Sequence, residues 1–422
     1  MWLSDRMQQN FHAECNKMLQ KVSGGCRVYD TTLVFADGTC YKGIGFGRKA
    51  PTLEQLLAGG FAQMPLGEIV FNTTMGAYHE IITDPSYAGQ SIVMTASQVG
   101  NYGVDPDWNE MLGEHPFCTA LILRDLYEGP VPNGRRTLGD ACVEWNICGL
   151  TDVDTRAITL HIRSFGSQYA VAVGEVSLSE PDIARVIAWI ARCPTMLERD
   201  FISGCSVVEP VVFSPAVEQK ARFLLWDFGT KHSIVKELLA RGIEVTVVPA
   251  NRQIRDFLTG TGSYDALFLS NGPGDPASLD TIVHQLQGVL DFLPILGICL
   301  GHQLAARALG GTTEKMLYGH HGPNHPVRDL HTQNVYVTAQ NHGYCVDAAT
   351  LPASSTLWLV NDNDQSVEGF YDAERKVMTV QFHPEAAPGP WEARKLFDVF
   401  IDFALEQSLP AAAMEASDAS KK

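Results

Sequence analysis

Hydrophobic residues in the second half of the chain form short apolar runs that alternate with amphipathic stretches. The runs RFLLWDF, EVTVVPA, ALFLSNG and PILGIC are typical of buried strands, and a helical pattern follows each one. This alternation predicts a parallel sheet covered on both faces, with ligands bound at the carboxyl ends of the strands. The later runs VYVTAQN, TLWLVND, SVEGFYD and KVMTVQF predict antiparallel strands before a last helix in WEARKLFDVFIDFALEQ.

The first half mixes strands and helices without regular alternation. VYDTTLVFADGTCYKGIGFG holds two extended runs around Asp37-Gly38, a hairpin signal, and EIVFNTTM, SIVMTA and FCTALILRDL are further strand patterns. Helical patterns cover 155–165 and 181–191. We therefore expect an α/β protein with a C-terminal doubly wound, mainly parallel sheet and a separate mixed α+β N-terminal domain.

Changes in pattern divide the chain into five predicted segments. An N-terminal extension with an amphipathic helix is followed by the first domain, a linker region, the second domain and a disordered tail. Their predicted bounds are 1–27, 28–176, 177–219, 220–408 and 409–422.

Composition narrows the classes of protein that fit. The formal net charge of −17 argues against a nucleic-acid partner. The ten cysteines include no CxxC pair, which argues against both a zinc site and a secreted disulfide framework. No apolar run approaches the roughly 18 residues of a membrane span, and the N-terminus lacks the pattern of a targeting signal. We expect a cytoplasmic protein with no membrane contact.

Cys299 lies between two glycines where a predicted strand becomes a helix. A thiol at a helix N-terminus faces the positive end of the helix dipole, which favours the nucleophilic thiolate. Gly297 and Gly301 suit a turn too crowded for side chains, as in nucleophile elbows, and the amide of Leu300 would be free to bind an oxyanion. The alternative is an ordinary buried cysteine.

A cysteine nucleophile needs a base and a group that orients the base. His383 and Glu385 lie two residues apart in VQFHPEAAPGP, just after a predicted strand, so their side chains can lie on one side. SNGPGDP also follows a predicted strand, and the amide of Gly272 suits the second half of an oxyanion hole.

GICLGHQLAARALGG, SNGPGDP, AQNHGY and QFHPEA together resemble the class I, or triad-type, glutamine amidotransferase domain, which has a flavodoxin-like fold. DFGTKHSIV, GHHGPNHPV and FHPEAAPGP make the chain similar to the small subunits of carbamoyl phosphate synthetase. In the first half, LGEIVFNTTMGAYHEIITDPSYAGQ, GNYGVDPDW and DVDTRAIT resemble the N-terminal domain of those subunits. The resemblance covers roughly 28–408.

The resemblance implies a reaction and a role for each matching residue. Cys299 would attack the side-chain amide of L-glutamine, His383 would act as base and then as acid, and Glu385 would orient His383. Leu300 and Gly272 would donate the oxyanion hydrogen bonds. The positions that match the glutamine-binding residues of the family are Ser86, Lys231, Gly272, Gly274, Leu300, Gln303, Asn341, Gly343 and Tyr344.

The resemblance also implies a partner. Ammonia would pass through a tunnel to a separate large subunit, which uses ATP, Mg²⁺ and bicarbonate to make carbamoyl phosphate for arginine and pyrimidine synthesis. No cofactor is expected in this chain. Two alternatives stay open: the glutaminase component of another synthase, such as anthranilate or aminodeoxychorismate synthase, and a catalytically silent regulatory subunit.

Several further features carry weaker expectations. The histidines of GHHGPNHP lie between glycines and prolines, which predicts a loop with a shaping role and no metal. His342, in QNHGY, is a rival for the base, and we expect it to line the pocket instead. The stretch 48–65 looks like an insertion in the family pattern and is predicted to form a surface helix.

Overall fold

The computed structural model describes residues 29–406, except 114, 176 and 260–262. Within these residues the strands form a seven-stranded closed barrel and a ten-stranded sheet. The predicted extension 1–27 and tail 409–422 lie outside the described residues. The strands are β1 (Tyr29–Phe35), β2 (Cys40–Gly47), β3 (Leu66–Asn72), β4 (Gln90–Met94), β5 (Ala120–Ile122), β6 (Cys148–Thr151), β7 (Tyr169–Val173), β8 (Val211–Phe213), β9 (Ala221–Asp227), β10 (Ile243–Pro249), β11 (Ala266–Leu269), β12 (Ile295–Ile298), β13 (Thr313–Asp329), β14 (Val335–Val346), β15 (Ser355–Asn361), β16 (Val367–Asp372) and β17 (Val377–Val380).

The helices are short, and their ends follow from local sequence. The predicted helix over 155–165 has those bounds in the structure, because the Asp154 side chain accepts a hydrogen bond from the amide of Ala157 and Gly166, at a φ of 88°, ends the helix. The α-helices of the described residues are α1 (Leu53–Ala58), α2 (Tyr78–Thr83), α3 (Leu138–Glu144), α4 (Thr155–Phe165), α5 (Glu180–Ile190), α6 (Ile202–Cys205), α7 (His232–Ala240), α8 (Ile254–Leu258), α9 (Asp280–Gln287), α10 (Leu300–Ala308) and α11 (Leu396–Glu406).

The barrel has the strand order β1-β2-β6-β5-β4-β3-β7. The predicted hairpin joins β1 to β2, whereas β3, β4, β5 and β6 pair in parallel. Helix α1 lies in the stretch 48–65, which confirms a helix there. Its Leu53 and Leu56 side chains are buried in a cluster with Val186 and Trp189 of α5, so only one side of the helix faces solvent.

The second sheet has the order β14-β13-β15-β16-β17-β12-β11-β9-β10-β8. Strands β10, β9, β11, β12 and β17 run parallel and are buried, as the continuous apolar runs predict. Helices α7 and α11 pack on one face of these strands, and α8, α9 and α10 pack on the other. The predicted doubly wound class is confirmed, with antiparallel strands at both edges.

The predicted linker 177–219 contains α5, α6 and β8. Helix α5 packs on the barrel, and β8 pairs with β10 of the second sheet. The division into 28–176, 177–219 and 220–408 stays a prediction.

Among the described helices, none combines the length and apolarity needed to cross a bilayer.

One predicted loop is wrong. GHHGPNHP belongs to β13 and pairs with β14, with His320 opposite His342. Glycine and proline indicated a loop locally, but pairing with the twelve-residue β14 supplies the backbone hydrogen bonds. The register shifts between Lys315 and His320 and again between Gly322 and His325 accommodate these residues as irregularities of the strand.

Candidate functional site

Four neighbouring parallel strands end at one edge of the second sheet. In spatial order they are β9, β11, β12 and β17. The residues that follow them include Lys231, Gly272, Cys299 and His383, one for each strand. The fold therefore brings together groups that lie up to about 150 residues apart in the sequence, at the edge where ligands bind in such sheets.

Cys299 occupies a strained turn between β12 and α10. Its φ of 54° and ψ of −107° are unusual for a residue with a side chain. Its amide donates to the carbonyl of Val380 at 2.9 Å, and its Sγ lies 3.5 Å from the carbonyl oxygen of Asn341. The thiol is therefore held at the carboxyl end of the sheet, in the geometry expected for a nucleophile elbow.

The two glycines beside Cys299 permit close packing of α10 on the sheet. A Cβ at Gly301 would lie 2.3 Å from the carbonyl oxygen of Leu269, and one at Gly297 would lie 2.9 Å from the backbone of Gly301. The expected crowding is confirmed. Their missing side chains leave room for protein backbone.

Replacing Gly301 with alanine is expected to lower the free energy of unfolding by about 1–3 kcal/mol or more, because the added methyl would overlap the backbone of Leu269. Chemical denaturation of the full chain measures the change. Gly288→Ala is the matched control, since its nearest atom would be 3.4 Å from the new Cβ. Equal stability of the two variants would contradict the packing role of Gly301.

His383 and Glu385 form a buried pair, and Lys231 joins them. Nδ1 of His383 lies 2.6 Å from Oε1 of Glu385, which is also 3.0 Å from Nζ of Lys231. Lys231 donates a second bond to the carbonyl of Ala386 at 2.7 Å. Nε2 of His383 is buried and has no hydrogen-bond partner within the described part of the chain. A buried nitrogen without a partner needs an explanation, and a catalytic role supplies one.

The electrostatic surroundings favour the charged forms of His383, Glu385 and Lys231. Burial alone would lower the pKa of His383, but the carboxylate of Glu385 raises it to about 10, with a smaller contribution from Cys299. Burial would raise the pKa of Glu385, but Lys231 and His383 lower it to about 2. The pKa of Lys231 is raised despite its burial, because Glu385, Glu110 and Asp84 surround it.

The amides of Gly272 and Leu300 are available to a ligand. Neither donates a hydrogen bond to another of the described residues. The two residues are adjacent, since a Cβ on Gly272 would lie 3.0 Å from Cδ2 of Leu300. Leu300 is the first residue of α10, where amides have no partner within the helix.

The structure brings most of the predicted glutamine-binding residues to this edge. Asn341 carries the carbonyl next to the Cys299 thiol, and Gln303 donates to the carbonyl of Tyr344 at 2.9 Å. Ser86, from the barrel half, accepts a bond of 2.8 Å from the side chain of Asn271, the neighbour of Gly272. The predicted site therefore includes a residue from the first half of the chain.

Three other predicted residues, Gly274, Gly343 and His342, have different surroundings. Gly274, at a φ of 97°, faces the ring of Phe201, while Gly343 has open space on its Cβ side. His342 bonds to the carbonyl of Tyr344 at 2.8 Å and to Gln340 at 2.9 Å, and its ring packs against His320. Its ring thus belongs to a histidine cluster. The expected pocket-lining role of His342 stays a prediction.

That histidine cluster contains a possible ligand set. The donor atoms of His320, His342 and Glu368 lie within 4.8 Å of one another. They already have protein partners: His320 bonds to Asp364 at 2.8 Å, and Glu368 accepts from Gln340 at 2.9 Å. The expectation of no metal stays a prediction.

Sequence reasoning missed Asp84 and Asn271. Asp84 accepts from the amide of Ser86 at 2.9 Å and from the side chain of Asn341 at 3.1 Å. Asn271 accepts from the amide of Lys231 at 3.0 Å. Both residues lie inside the stretches LGEIVFNTTMGAYHEIITDPSYAGQ and SNGPGDP, where a polar side chain beside a strand or helix end is the available signal.

Comparison with known proteins gives two family matches. Residues 33–172 match the model of the carbamoyl-phosphate synthase small chain, CPSase domain, and residues 224–403 match that of glutamine amidotransferase class-I. Both models fit the segments in which the barrel and the ten-stranded sheet lie.

Curated relatives match over most of their length. The carbamoyl phosphate synthase small chain of Symbiobacterium thermophilum is 39% identical over 369 residues, covering 86% of this chain and 96% of the relative. That of Methanococcus maripaludis is 38% identical, with 89% and 97% covered. The chloroplastic small chain of Oryza sativa subsp. japonica is 37% identical, with 89% and 82% covered.

Proposed function

This chain belongs to the family of carbamoyl phosphate synthase small chains, and from that premise we propose that Cys299, His383 and Glu385 hydrolyse L-glutamine for a large-subunit partner. The observation that carries the proposal is the unpartnered, buried Nε2 of His383, whose Nδ1 is fixed by Glu385. Glutamine hydrolysis is the activity of the family, and the proposal concerns the residues and the fate of the ammonia.

The proposed reaction proceeds through a thioester. The Cys299 thiolate attacks the side-chain carbonyl carbon of glutamine, while its proton resides on Nε2 of His383. His383 then donates this proton to the departing ammonia, and the glutamyl thioester forms. Water, deprotonated by the same nitrogen, attacks the thioester and releases glutamate. Glu385 holds the ring orientation and stabilises the imidazolium at each stage.

Gly272 and Leu300 would bind the oxyanion of both tetrahedral intermediates. Neither amide donates to another described residue, the Leu300 side chain lies next to Gly272, and Leu300 directly follows the nucleophile. Fixed donors of this kind need no reorganisation as charge develops. Ser86, Gln303 and Tyr344, with Asn341, Gly343 and Gly274, would bind the rest of the glutamine molecule.

Lys231 has a different proposed role from the one implied by the resemblance. Its ammonium is engaged by Glu385 and by the carbonyl of Ala386, so it would act through the triad carboxylate and not by contact with glutamine. A buried carboxylate is stable as an anion only with a paired cation, and Lys231 supplies it.

A small cavity supports the proposed path for ammonia. Its volume is about 20 Å³, room for about one water-sized molecule. The residues that line the cavity include His383 and Lys231 of the second half and Asn72 and Thr74 of the barrel half. Met75, the residue after Thr74, is 82% exposed and marks the protein surface on this side. We place the large subunit over that surface, and assign ATP, Mg²⁺ and bicarbonate to it. The product would serve arginine and pyrimidine synthesis.

Isotope competition tests the transfer of ammonia. The full chain with its large subunit is supplied with ATP, bicarbonate, amide-¹⁵N glutamine and an excess of unlabelled ammonium. We expect carbamoyl phosphate to carry mainly ¹⁵N, because ammonia would not mix with solvent before it reacts. Dilution of the label to the bulk ratio would contradict internal transfer while leaving the triad proposal intact.

A further inference from the structure

Glu110 is a buried carboxylate of the barrel half that contacts the start of α7 in the second half. It is 4% exposed. Its carboxylate accepts hydrogen bonds from both the amide and the hydroxyl of Ser233, the former at 3.2 Å. Its carbonyl oxygen accepts from the amide of His232 at 2.6 Å. Helix α7 has no side-chain cap from Lys231, its own N-cap residue, so Glu110 satisfies the free amides from across the interface.

The other end of Glu110 is fixed to the loop that carries Ser86. Its amide donates to the hydroxyl of Thr83 at 3.1 Å, and Thr83 is the last residue of α2. The next residue is Asp84, which bonds to Ser86 at 2.9 Å and to Asn341. Glu110 thus joins the barrel part of the glutamine pocket to the helix start that holds Lys231.

Glu110 and Lys231 also interact through their opposite charges. Burial raises the pKa of Glu110 to about 7, although Lys231 and the bonds from Ser233 oppose the rise. Lys231 in turn is stabilised as a cation by Glu385, Glu110 and Asp84. A residue placed only to fill space in the interface would not need a side-chain oxygen that accepts hydrogen bonds here.

We propose that Glu110 is a positioning residue for glutamine hydrolysis: it couples the Ser86 loop to Lys231 and the triad, so that both halves of the pocket bind one substrate molecule. The inference rests on the proposed function. It assigns to Glu110 an effect on glutamine binding larger than its effect on the chemical step, because it touches neither Cys299 nor His383.

Steady-state kinetics of the full chain with its large subunit tests the role of Glu110. Glu110→Ala is expected to raise the KM for glutamine roughly 10-fold with a smaller change in kcat, because hydrogen bonds to a charged group are lost. Glu110→Gln should restore the KM to within about threefold of wild type, since its amide oxygen can accept the same two bonds. Asp107→Ala, on the same loop and exposed, is the matched control.

Ser233→Ala provides a second test if Glu110→Ala fails to fold. It removes one of the two bonds, and we expect a KM increase of about threefold. The inference is overturned if Ser233→Ala and any folded Glu110→Ala keep the wild-type KM, or if Glu110→Gln is as impaired as Glu110→Ala. Failure of the proposed function is a separate result: Cys299→Ser would then hydrolyse glutamine as wild type does, whatever the behaviour of Glu110 variants.

Discussion

Cys299→Ser is expected to abolish glutamine-dependent carbamoyl phosphate synthesis, by roughly 10⁴-fold or more, while ammonia-dependent synthesis by the same complex persists. The thiol is the proposed nucleophile, and the serine hydroxyl, with its far higher pKa, is a poor replacement at neutral pH. Ammonia-dependent synthesis does not require the thiol, because the large subunit can use external ammonia.

The measurement is the rate of carbamoyl phosphate formation with glutamine and with ammonium chloride, in parallel. Cys40→Ser, in β2 of the barrel, is the control for an unrelated cysteine. Glutamine-dependent synthesis within tenfold of wild type would remove the nucleophile assignment. It would also revive the hypothesis of a subunit that only shapes its partner.

Glu385→Gln is expected to reduce the kcat for glutamine hydrolysis by about 10³–10⁴-fold without unfolding the protein. The amide keeps the shape of the carboxylate but removes the charge that stabilises protonated His383. It also removes the anion that pairs with Lys231 at 3.0 Å. Glu374→Gln, an exposed carboxylate on the same half of the chain, is the control.

The kcat of Glu385→Gln is expected to change with pH in a defined direction. In the native protein the pKa of His383 is raised to about 10, so the imidazolium persists until the pH rises through that value. Without Glu385 the effect of burial dominates and the pKa falls, so the alkaline limb of the kcat profile should move to lower pH. An unchanged alkaline limb would contradict the role of Glu385 as the group that supports the charge.

Local sequence predicted the elements more accurately than their assembly. The helix over 155–165 and the strand before Cys299 follow from caps and apolar runs that act within a few residues. The closed barrel was not predicted. Closure requires β1 to pair not only with its hairpin partner β2 but also with β7, which lies far from β1 along the chain. The GHHGPNHP strand was missed because its glycines and prolines indicate a loop locally, whereas pairing with β14 supplies its backbone hydrogen bonds.

In the candidate site too, local motifs predicted some residues, whereas others depend on tertiary contacts. Motif spacing after strands pointed to Cys299, His383 and Gly272, because parallel strands bring their carboxyl ends to one edge. No local signal marked Glu110, which lies in NEMLG, a loop without a recognisable motif. Its role depends on contact with Ser233, 123 residues away.

The sequence by itself determined the doubly wound sheet, the elbow at Cys299 and the family, because periodicity and motifs are local and remain readable without a partner. Only the tertiary structure decided that Lys231 pairs with Glu385, that His342 bonds to the carbonyl of Tyr344 and that Glu110 joins the two halves. The physical reason is that a side chain's role depends on which charges and hydrogen-bond partners surround it, and long-range packing sets those surroundings.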